Sequence, residues 1–378
     1  MRAHPGRILI ILALGAALAP PLAAQSRNGF LLAGYGSAGW SGAAASDPFA
    51  SDFTASISPL MLYSVGENLL FEAELEFGLE GDATETSLEY AQIDYLGFGR
   101  LQLTAGKVLL PFGVFGERLH PSWINKLPTK PLIFGAGHGS ASAESLLPVL
   151  GDAGLLLRTK QPIGDTWAFD VSAYVTQGPT DGVAGHDDEE PAMAIFPGGP
   201  LASEAGEGAE EGIAPPLMFG AAFGDNNGNK MVGARMGLVR GGQFEVYASG
   251  LTAKYDAESV LDYSAAALSA EFRRGGLEIR GEGVITRQEF EHEHDEFETL
   301  SRSGFYLQAS HRRGSWEPVV RLSRVNDAKV AGAVVGEGHN ELALGLDYWM
   351  ASSVPLKFVW EFHEDRDSTF GIQWAFGF

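Results

Sequence analysis

The chain has 378 residues, of which 45% are hydrophobic and 20% are charged, and this composition excludes disorder throughout. Its 26 Lys and Arg residues stand against 48 Asp and Glu, giving a net charge of -22. That balance argues against a nucleic-acid partner, because phosphate binding needs clustered cations. The absence of cysteine excludes disulfide scaffolds, thiol catalysis and Cys-ligated metals.

The N-terminal segment has the pattern of a secretory signal. Arg2 and Arg7 precede an apolar run at 8–18, and small residues follow up to Ala24. We therefore predict a signal peptide over residues 1–24 and a mature domain over 25–378. The alternative is an N-terminal anchor helix, although the run is short for a membrane span. No later window holds eighteen consecutive apolar residues, which excludes a helical membrane protein.

The mature chain alternates apolar and polar residues with period two. In the segment NLLFEAELEFGLE, Phe71 and Leu75 fall on one face, and Glu72, Glu74 and Glu76 fall on the other. This is the pattern of a β-strand, since a helix would scatter both sets around its circumference. Segments of this kind recur and run about ten residues, the length of a tilted strand crossing a bilayer.

The connections between these segments alternate between short turns and long loops, the longest at 109–150 and 178–216. This layout predicts an all-β fold, a transmembrane antiparallel β-barrel with short periplasmic turns and long external loops. A short strand at 218–223 would force a recount. The sixteen predicted strands begin near Phe30, Asp52, Asn68, Ser87, Arg100, Asp152, Thr166, Lys230, Phe244, Val260, Leu277, Ser303, Ser315, Asn340, Pro355 and Ser368.

A soluble all-β sandwich or solenoid is the alternative fold, because it also alternates. It does not explain connections of two lengths or aromatic residues that continue to the end of the sequence. Apolar faces on every strand are stable when they contact lipid. The pattern therefore favours the barrel.

The last strand carries an alternating aromatic face made of Phe370, Trp374, Phe376 and Phe378. It resembles the terminal signal that the barrel-assembly machinery of Gram-negative outer membranes recognises. This resemblance implies export to the outer membrane, where lipid and lipopolysaccharide would surround the barrel.

Two internal stretches resemble the phosphate-selective porin O and P family: LQLTAGKVLLPFGVFGERLHPSWINK at 101–126 and GDNNGNKMVGARMGL at 224–238. The resemblance implies a sixteen-stranded porin, commonly a homotrimer, that passes small solutes by diffusion. Arg235, within the second stretch, is a candidate pore-lining residue. Phosphate selectivity is not implied, because that specialisation rests on a ladder of lumen arginines and the inward positions here are often acidic.

Glu72, Glu74 and Glu76 form an acidic row with neighbouring members about 7 Å apart along one strand face. Facing water inside a barrel, they would stay ionised and attract cations, whereas buried without partners they would be too costly. The alternative is the solvated face of a soluble sheet. We therefore regard the three glutamates as candidate pore-lining residues.

The loop at 109–150 reverses the acidic balance. Lys107, Arg118, Lys126 and Lys130 stand against Glu117 alone between positions 107 and 130. Resemblance to general porins implies that this third external loop folds into the lumen as a constriction. We hypothesise that its cations face the acidic row and create a transverse field that orders dipolar solutes. The alternative is that they bind lipopolysaccharide phosphates or a neighbouring subunit.

Two other external loops are strongly acidic. The loop at 178–216 contains nine Asp and Glu residues and no Lys or Arg, and we expect a mobile cap there. In the second, which carries residues 291–296, His292 and His294 would share a strand face and bind a transition metal, with His186 as a further ligand. The alternatives are a solvated charge run or calcium bridging between loops and lipid A.

Enzymatic signals are weak. The stretch GHGS at 137–140 lacks an acidic partner and the strand–turn–helix context of a nucleophile elbow. There is no phosphate loop or dinucleotide fingerprint, so we predict no cofactor. A TonB-dependent transporter needs a plug domain and about 22 strands, more than the sixteen strands predicted here, so the sequence does not favour that class. The sequence thus predicts an outer-membrane porin that is not an enzyme; the alternative is a non-conducting barrel serving as surface anchor, metal-capturing protein, phospholipase or protease.

Overall fold

The computed structural model describes residues 28–43, 51–80, 83–134, 146–148, 150–181, 214–220, 226–292, 296–364 and 367–378. The predicted signal peptide, His186, His294, the GHGS stretch and most of the acidic loop at 178–216 lie outside these residues. Among the described residues, no helix is long and apolar enough to cross a membrane.

Strands dominate the described part of the chain, as the period-two pattern requires. They are β1 (Gly29–Ala43), β2 (Ser51–Val65), β3 (Leu69–Glu80), β4 (Ala83–Phe98), β5 (Leu101–Leu109), β6 (Gly151–Ile163), β7 (Trp167–Thr176), β8 (Thr180–Asp181), β9 (Leu217–Met218), β10 (Met231–Arg240), β11 (Phe244–Lys254), β12 (Asp262–Arg274), β13 (Leu277–His292), β14 (Glu296–His311), β15 (Trp316–Val325), β16 (Ala328–Val330), β17 (Ala333–Gly336), β18 (His339–Ala351), β19 (Val354–His363) and β20 (Thr369–Gly377).

Sixteen of these strands close into one antiparallel barrel, which confirms the predicted fold class and strand number. Each barrel strand pairs with the next one along the chain, and β1 pairs with β20 to complete the ring. The short strands β8 and β9 pair only with each other, so the segment around Met218 adds no barrel strand. The β16–β17 hairpin extends the sheet beyond the end of β15 by pairing with β14.

The seam between the first and last strands is closed by backbone hydrogen bonds and by aromatic packing. The N–H of Gly34 donates to the carbonyl of Phe378 at 3.0 Å, and the N–H of Phe378 donates back at 2.9 Å. The ring of Phe378 covers Gly34 and that of Phe376 covers Gly36, and a Cβ at either glycine would meet the ring within 3 Å. The absence of a side chain at Gly34 and Gly36 therefore makes room for the terminal aromatic rings.

The two faces of the barrel wall reverse the usual arrangement of a soluble protein. Large apolar side chains point outward, and Phe71, Trp360 and Trp374 are 37%, 43% and 52% exposed. Charged side chains point inward and are buried, including Glu74 and Arg321. Apolar residues facing out and polar residues facing in are the pattern of a barrel that contacts lipid. The faces predicted from the alternation are those observed.

Candidate functional site

The loop between β5 and β6 lies against the inward face of the barrel wall. Its first turn is fixed by Glu282 of β13, whose Oε2 accepts hydrogen bonds from the N–H groups of Val114 at 2.8 Å and Phe115 at 3.4 Å. Gly113 has a φ of 61°, and a Cβ there would lie 2.1 Å from the Glu282 carboxylate. Glycine is thus required where the loop meets the wall. We call residues 110–134 the inward loop.

Glu117 anchors the middle of the inward loop to two separate strands. Its Oε1 lies 2.5 Å from Arg158 Nη1 of β6, and its Oε2 lies 2.5 Å from Arg235 Nη1 of β10. Arg235 also donates to the carbonyl of Gly113 at 2.8 Å. Burial would raise the pKa of the Glu117 carboxyl, but the two guanidinium groups outweigh burial and lower it. Arg235 therefore lies beneath the loop as an anchor.

The second half of the inward loop is fixed to the opposite wall. Lys126 Nζ lies 3.0 Å from Glu317 of β15, and Arg321 of the same strand donates to the carbonyl of Thr129 at 2.8 Å. Lys357 of β19 donates to the carbonyls of Ser122 and Asn125. The loop thus spans the lumen from the β6–β13 side to the β15–β19 side.

The four cations predicted to oppose the acidic row divide into two groups. Arg118 lies 2.5 Å from Glu245 of β11, and Lys126 binds Glu317, so neither points at Glu72–Glu76. Lys130 lies within electrostatic reach of Glu76 and Glu89. Lys107, at the external end of β5, lies near Glu89 and Asp152. Only the Lys130 end of the inward loop meets the acidic row.

Acidic side chains cover the inward face of β3 and β4. We call Glu72, Glu74, Glu76, Glu89 and Asp94 the acidic wall. Glu74 is buried and accepts a hydrogen bond from Tyr35 Oη at 2.6 Å, whereas Glu72 and Glu76 are half-buried. Asp94 accepts hydrogen bonds from Thr104 at 2.5 Å and from Gln102 at 2.8 Å.

Glu89 and Asp94 are not among the residues predicted from the sequence. The alternation of apolar and polar residues in β4 does place Asp94 on the inward face, so this residue could have been predicted. The position of Glu89 depends on a register shift opposite Glu74 and Leu75, which no short-range pattern reveals.

One half of the lumen is filled by apolar packing. The inward loop contributes Val114, Phe115 and Phe134 to a buried cluster that includes Tyr247 and Tyr306 of the wall. The rings of Phe115 and Phe134 stack with centroids 4.8 Å apart. Wall residues beneath the loop have lost contact with solvent, and they include Ser269, Glu282, Glu317 and Arg321, all at 2% exposure or less.

The other half of the lumen keeps partly exposed polar side chains. Along β3 to β6, the inward residues Glu72, Glu76, Gln92, Gln102 and Arg158 are only half-buried. The contrast with the covered half shows that solvent reaches the lumen wall on the side of the acidic wall.

The aromatic residues of the last strand lie on the outward face, and His292 lies at the end of β13. Phe370 stacks on Trp360 with centroids 6.1 Å apart, Trp374 and Phe376 are exposed on the outward face of β20, and Phe378, just after the strand, is exposed as well. His292 ends β13 and is exposed. Because His294 lies outside the described residues, the metal site remains a prediction.

A second group of possible metal ligands brings together Glu341, Glu361 and His363. Arg321 Nη2 already lies 3.0 Å from Glu341 and 3.1 Å from Glu361. This guanidinium bridges the two carboxylates and offsets one of their two negative charges, so the group is an ion-pair network beneath the inward loop.

Comparison with known proteins gives a likeness of fold. No family model matches the sequence, and no curated protein matches it. Among solved structures, Salmonella typhi OmpF in complex with daunomycin superposes with a TM-score of 0.58 at 12% identity, covering 93% of this chain and 98% of that chain. The fold is that of outer-membrane porins.

Two further neighbours have the same architecture. The trimer form of Vibrio cholerae OmpT, an outer membrane protein, gives a TM-score of 0.56 at 11% identity over 93% of this chain and 99% of its own. The outer membrane channel DcaP of Acinetobacter baumannii gives 0.52 at 10% identity over 93% and 97%. The barrel thus resembles outer-membrane porins and channels, and the likeness to the porin O and P family remains a prediction.

Proposed function

We propose that this protein is an outer-membrane porin that lets small hydrophilic solutes and ions diffuse passively through an off-centre channel. The observation that carries the proposal is the unequal burial of the two halves of the lumen. On β3 to β6, inward side chains such as Glu72, Gln92 and Gln102 remain partly solvent-accessible, although Glu74 and Asp94 beside them are buried. The wall side chains beneath the inward loop are buried throughout the cluster described above. A barrel that served only as an anchor could fill its lumen with apolar side chains. Polar side chains on the lumen wall are stable where water reaches them, because polar groups buried without partners are costly.

The channel prefers cations in this proposal. Its lining contains Glu72 and Glu76, with the buried carboxyl groups of Glu74, Glu89 and Asp94 beside them. The cations that approach this acidic wall are Lys107, Lys130 and Arg158. Arg158 is also committed to Glu117, which reduces its effect on a passing ion. An excess of carboxylates in a narrow aqueous path concentrates cations and repels anions. Lys130 opposite Glu76 supplies the transverse field predicted from the sequence.

The assembly is a homotrimer in this proposal, supported by the trimer form of the V. cholerae neighbour. The signal peptide directs export, and the aromatic face of β20 is read by the barrel-assembly machinery. Lipid and lipopolysaccharide surround the outward apolar face. No catalytic role is proposed.

The test is the reversal potential of the purified, refolded protein in a planar bilayer under a KCl gradient. A reversal potential with the sign of cation selectivity supports conduction along the acidic wall. A reversal potential with the sign of anion selectivity would still indicate a porin but would refute the cation preference. Lys107 and Lys130 would then determine the selectivity. A correctly folded barrel that does not conduct would instead indicate a surface anchor or barrel enzyme.

A further inference from the structure

A polar groove lies on the outward face of the barrel, near the end that carries the long loops. It has a volume of about 500 Å³ and lies between β12, β13, β14 and the β16–β17 hairpin. This groove is separate from the lumen, because its residues alternate with the inward ones. Tyr263 and Thr286 point inward and are buried, whereas Ser264 and Arg287 belong to the opposite face.

The strand register aligns four polar residues across the groove. Ser264 of β12 lies opposite Arg287 of β13, which lies opposite Ser301 of β14, which lies opposite Lys329 of β16. Opposite residues in antiparallel strands share a face, so two hydroxyl groups and two cations form one row. The side chains of Arg287 and Lys329 are exposed.

This row lies directly beside apolar residues on the same face. Moving along β12 away from the loops, Ser264 is followed on that face by Ala266 and then by Leu268, which is 62% exposed and about 13 Å from Ser264 at the rise of a strand. Ile285 and Phe305 of the two next strands are 55% and 46% exposed. The polar row therefore lies on the loop side of a band of exposed apolar side chains, and Phe297 and Val334 on the same face are exposed as well. Mixed polar and apolar side chains of this kind are typical of the interface between hydrocarbon and headgroups.

The guanidinium of Arg287 has no protein partner among the residues that the structure describes. Asp262 forms an ion pair with Lys254 at 2.8 Å. Glu289 keeps its negative charge, and its Oε2 accepts a hydrogen bond from the Asp262 N–H at 3.1 Å. Within the part of the chain that the structure describes, Arg287 forms no hydrogen bond or ion pair. An unpaired guanidinium flanked by hydroxyl groups suits a phosphate, which it binds through two parallel hydrogen bonds.

We infer that this groove binds the phosphate of an outer-leaflet lipid headgroup, with Arg287 as the principal contact and Lys329, Ser264 and Ser301 beside it. The acyl chains of the lipid lie along Leu268, Ile285 and Phe305. The inference rests on the outer-membrane placement proposed above, but it does not require that the barrel conduct. Failure to conduct and failure to bind lipid are therefore separate results.

The experiment is native mass spectrometry of the folded barrel in detergent, titrated with lipid A. Arg287→Gln and Lys329→Gln are compared with wild type, and Arg240→Gln is the matched control, since Arg240 is an outward arginine at the opposite end of the barrel. We expect Arg287→Gln to weaken lipid A binding about tenfold, the effect of losing one charged hydrogen-bonding group. Lys329→Gln should weaken it less, and Arg240→Gln should bind as wild type does.

Two further probes identify the source of the phosphate. Dephosphorylated lipid A should bind about as weakly to wild type as lipid A binds to Arg287→Gln. Inorganic phosphate at millimolar concentration should not displace lipid A, because it lacks the acyl contacts. The inference is overturned if Arg287→Gln binds lipid A like wild type, if dephosphorylated lipid A binds equally well, or if inorganic phosphate displaces lipid A. Because Arg287 is exposed, the variant folds, and heat-modifiable migration in gels verifies this.

Discussion

Glu117 lies 2.5 Å from Arg158 and thereby ties the inward loop to strand β6. The same carboxylate lies 2.5 Å from Arg235 of β10, so a single side chain holds the loop between two strands. Removing one partner of a buried ion pair leaves the others desolvated and uncompensated. This relationship gives the first prediction.

Glu117→Gln should release the inward loop and lower the stability of the barrel by about 3–5 kcal/mol, the usual cost of breaking a buried ion pair. Single-channel recordings should show larger and noisier currents. The matched control is Glu258→Gln, because Glu258 is exposed in the turn between β11 and β12. Currents and unfolding temperature identical to wild type in Glu117→Gln would show that the loop is held by its other contacts.

Protonation of Glu117 should loosen the inward loop at acid pH. The pKa of Glu117 is lowered from its ordinary value of 4.5, so its ion pairs are fully formed above that value. Their contribution to stability is lost as the pH falls below 4.5 through the lowered pKa. We expect steady currents from neutral pH to about 4.5 and wider fluctuations only below it. Fluctuations that begin near pH 6 would assign the transition to another group.

The acidic wall predicts a selectivity change that depends on position. Combined Glu72→Gln and Glu76→Gln should lower the cation-to-anion permeability ratio about twofold to fivefold, since screening limits each charge. The control is Glu271→Gln, an inward glutamate of β12 that is 4% exposed in the covered half. Reversal potentials under a KCl gradient measure the ratio. An equal effect of Glu271→Gln would place the permeation path elsewhere.

Loss of the positive charge of Lys130 should raise the cation-to-anion permeability ratio. Burial lowers the pKa of Lys130 from 10.5, and the carboxylates of Glu76 and Glu89 only partly offset this. The positive charge is therefore lost as the pH rises, before 10.5 is reached, and cation preference should increase over that range. Lys130→Gln should increase the preference already at neutral pH and remove its part of the pH dependence. Arg240→Gln, which removes a charge outside the lumen, should leave the ratio unchanged.

The seam predicts that β1 tolerates no side chain where the terminal rings lie. A Cβ at Gly36 would lie 2.7 Å from the carbonyl oxygen of Ser56 and 2.8 Å from the ring of Phe376. Gly36→Ala should destabilise the barrel by about 1–3 kcal/mol through overpacking. Gly78→Ala is the control, because a Cβ there meets nothing within 4 Å. Heat-modifiable migration in gels compares the two, and equal melting would refute the seam argument.

The strand pattern could be predicted because lipid imposes it residue by residue. Most predicted starts lie within two residues of the observed ones, as at Leu277 and Phe244. The largest difference is β14, which begins at Glu296 instead of near Ser303. The early part of this strand carries polar residues that pair with the long β13, and only the tertiary pairing identifies them as strand.

The pairing of the loop cations could not be predicted. Arg118 meets Glu245 and Lys126 meets Glu317, contacts separated by 127 and 191 positions along the chain. They depend on where the barrel closes and on how the loop crosses it. The apolar content of the loop, with Val114, Phe115 and Phe134, was a usable signal that it packs against other residues instead of standing in solvent.

The apolar cluster beneath the inward loop also has a mechanical consequence. On that side the wall is backed by close-packed side chains, which resist compression as a protein interior does. Along β2 to β4, no residue of this cluster backs the wall in the described part of the chain. Lateral pressure from the bilayer will therefore deform the barrel mainly on the side of the acidic wall. The width of the path, and with it the current, should vary with membrane tension while the opposite arc keeps its curvature.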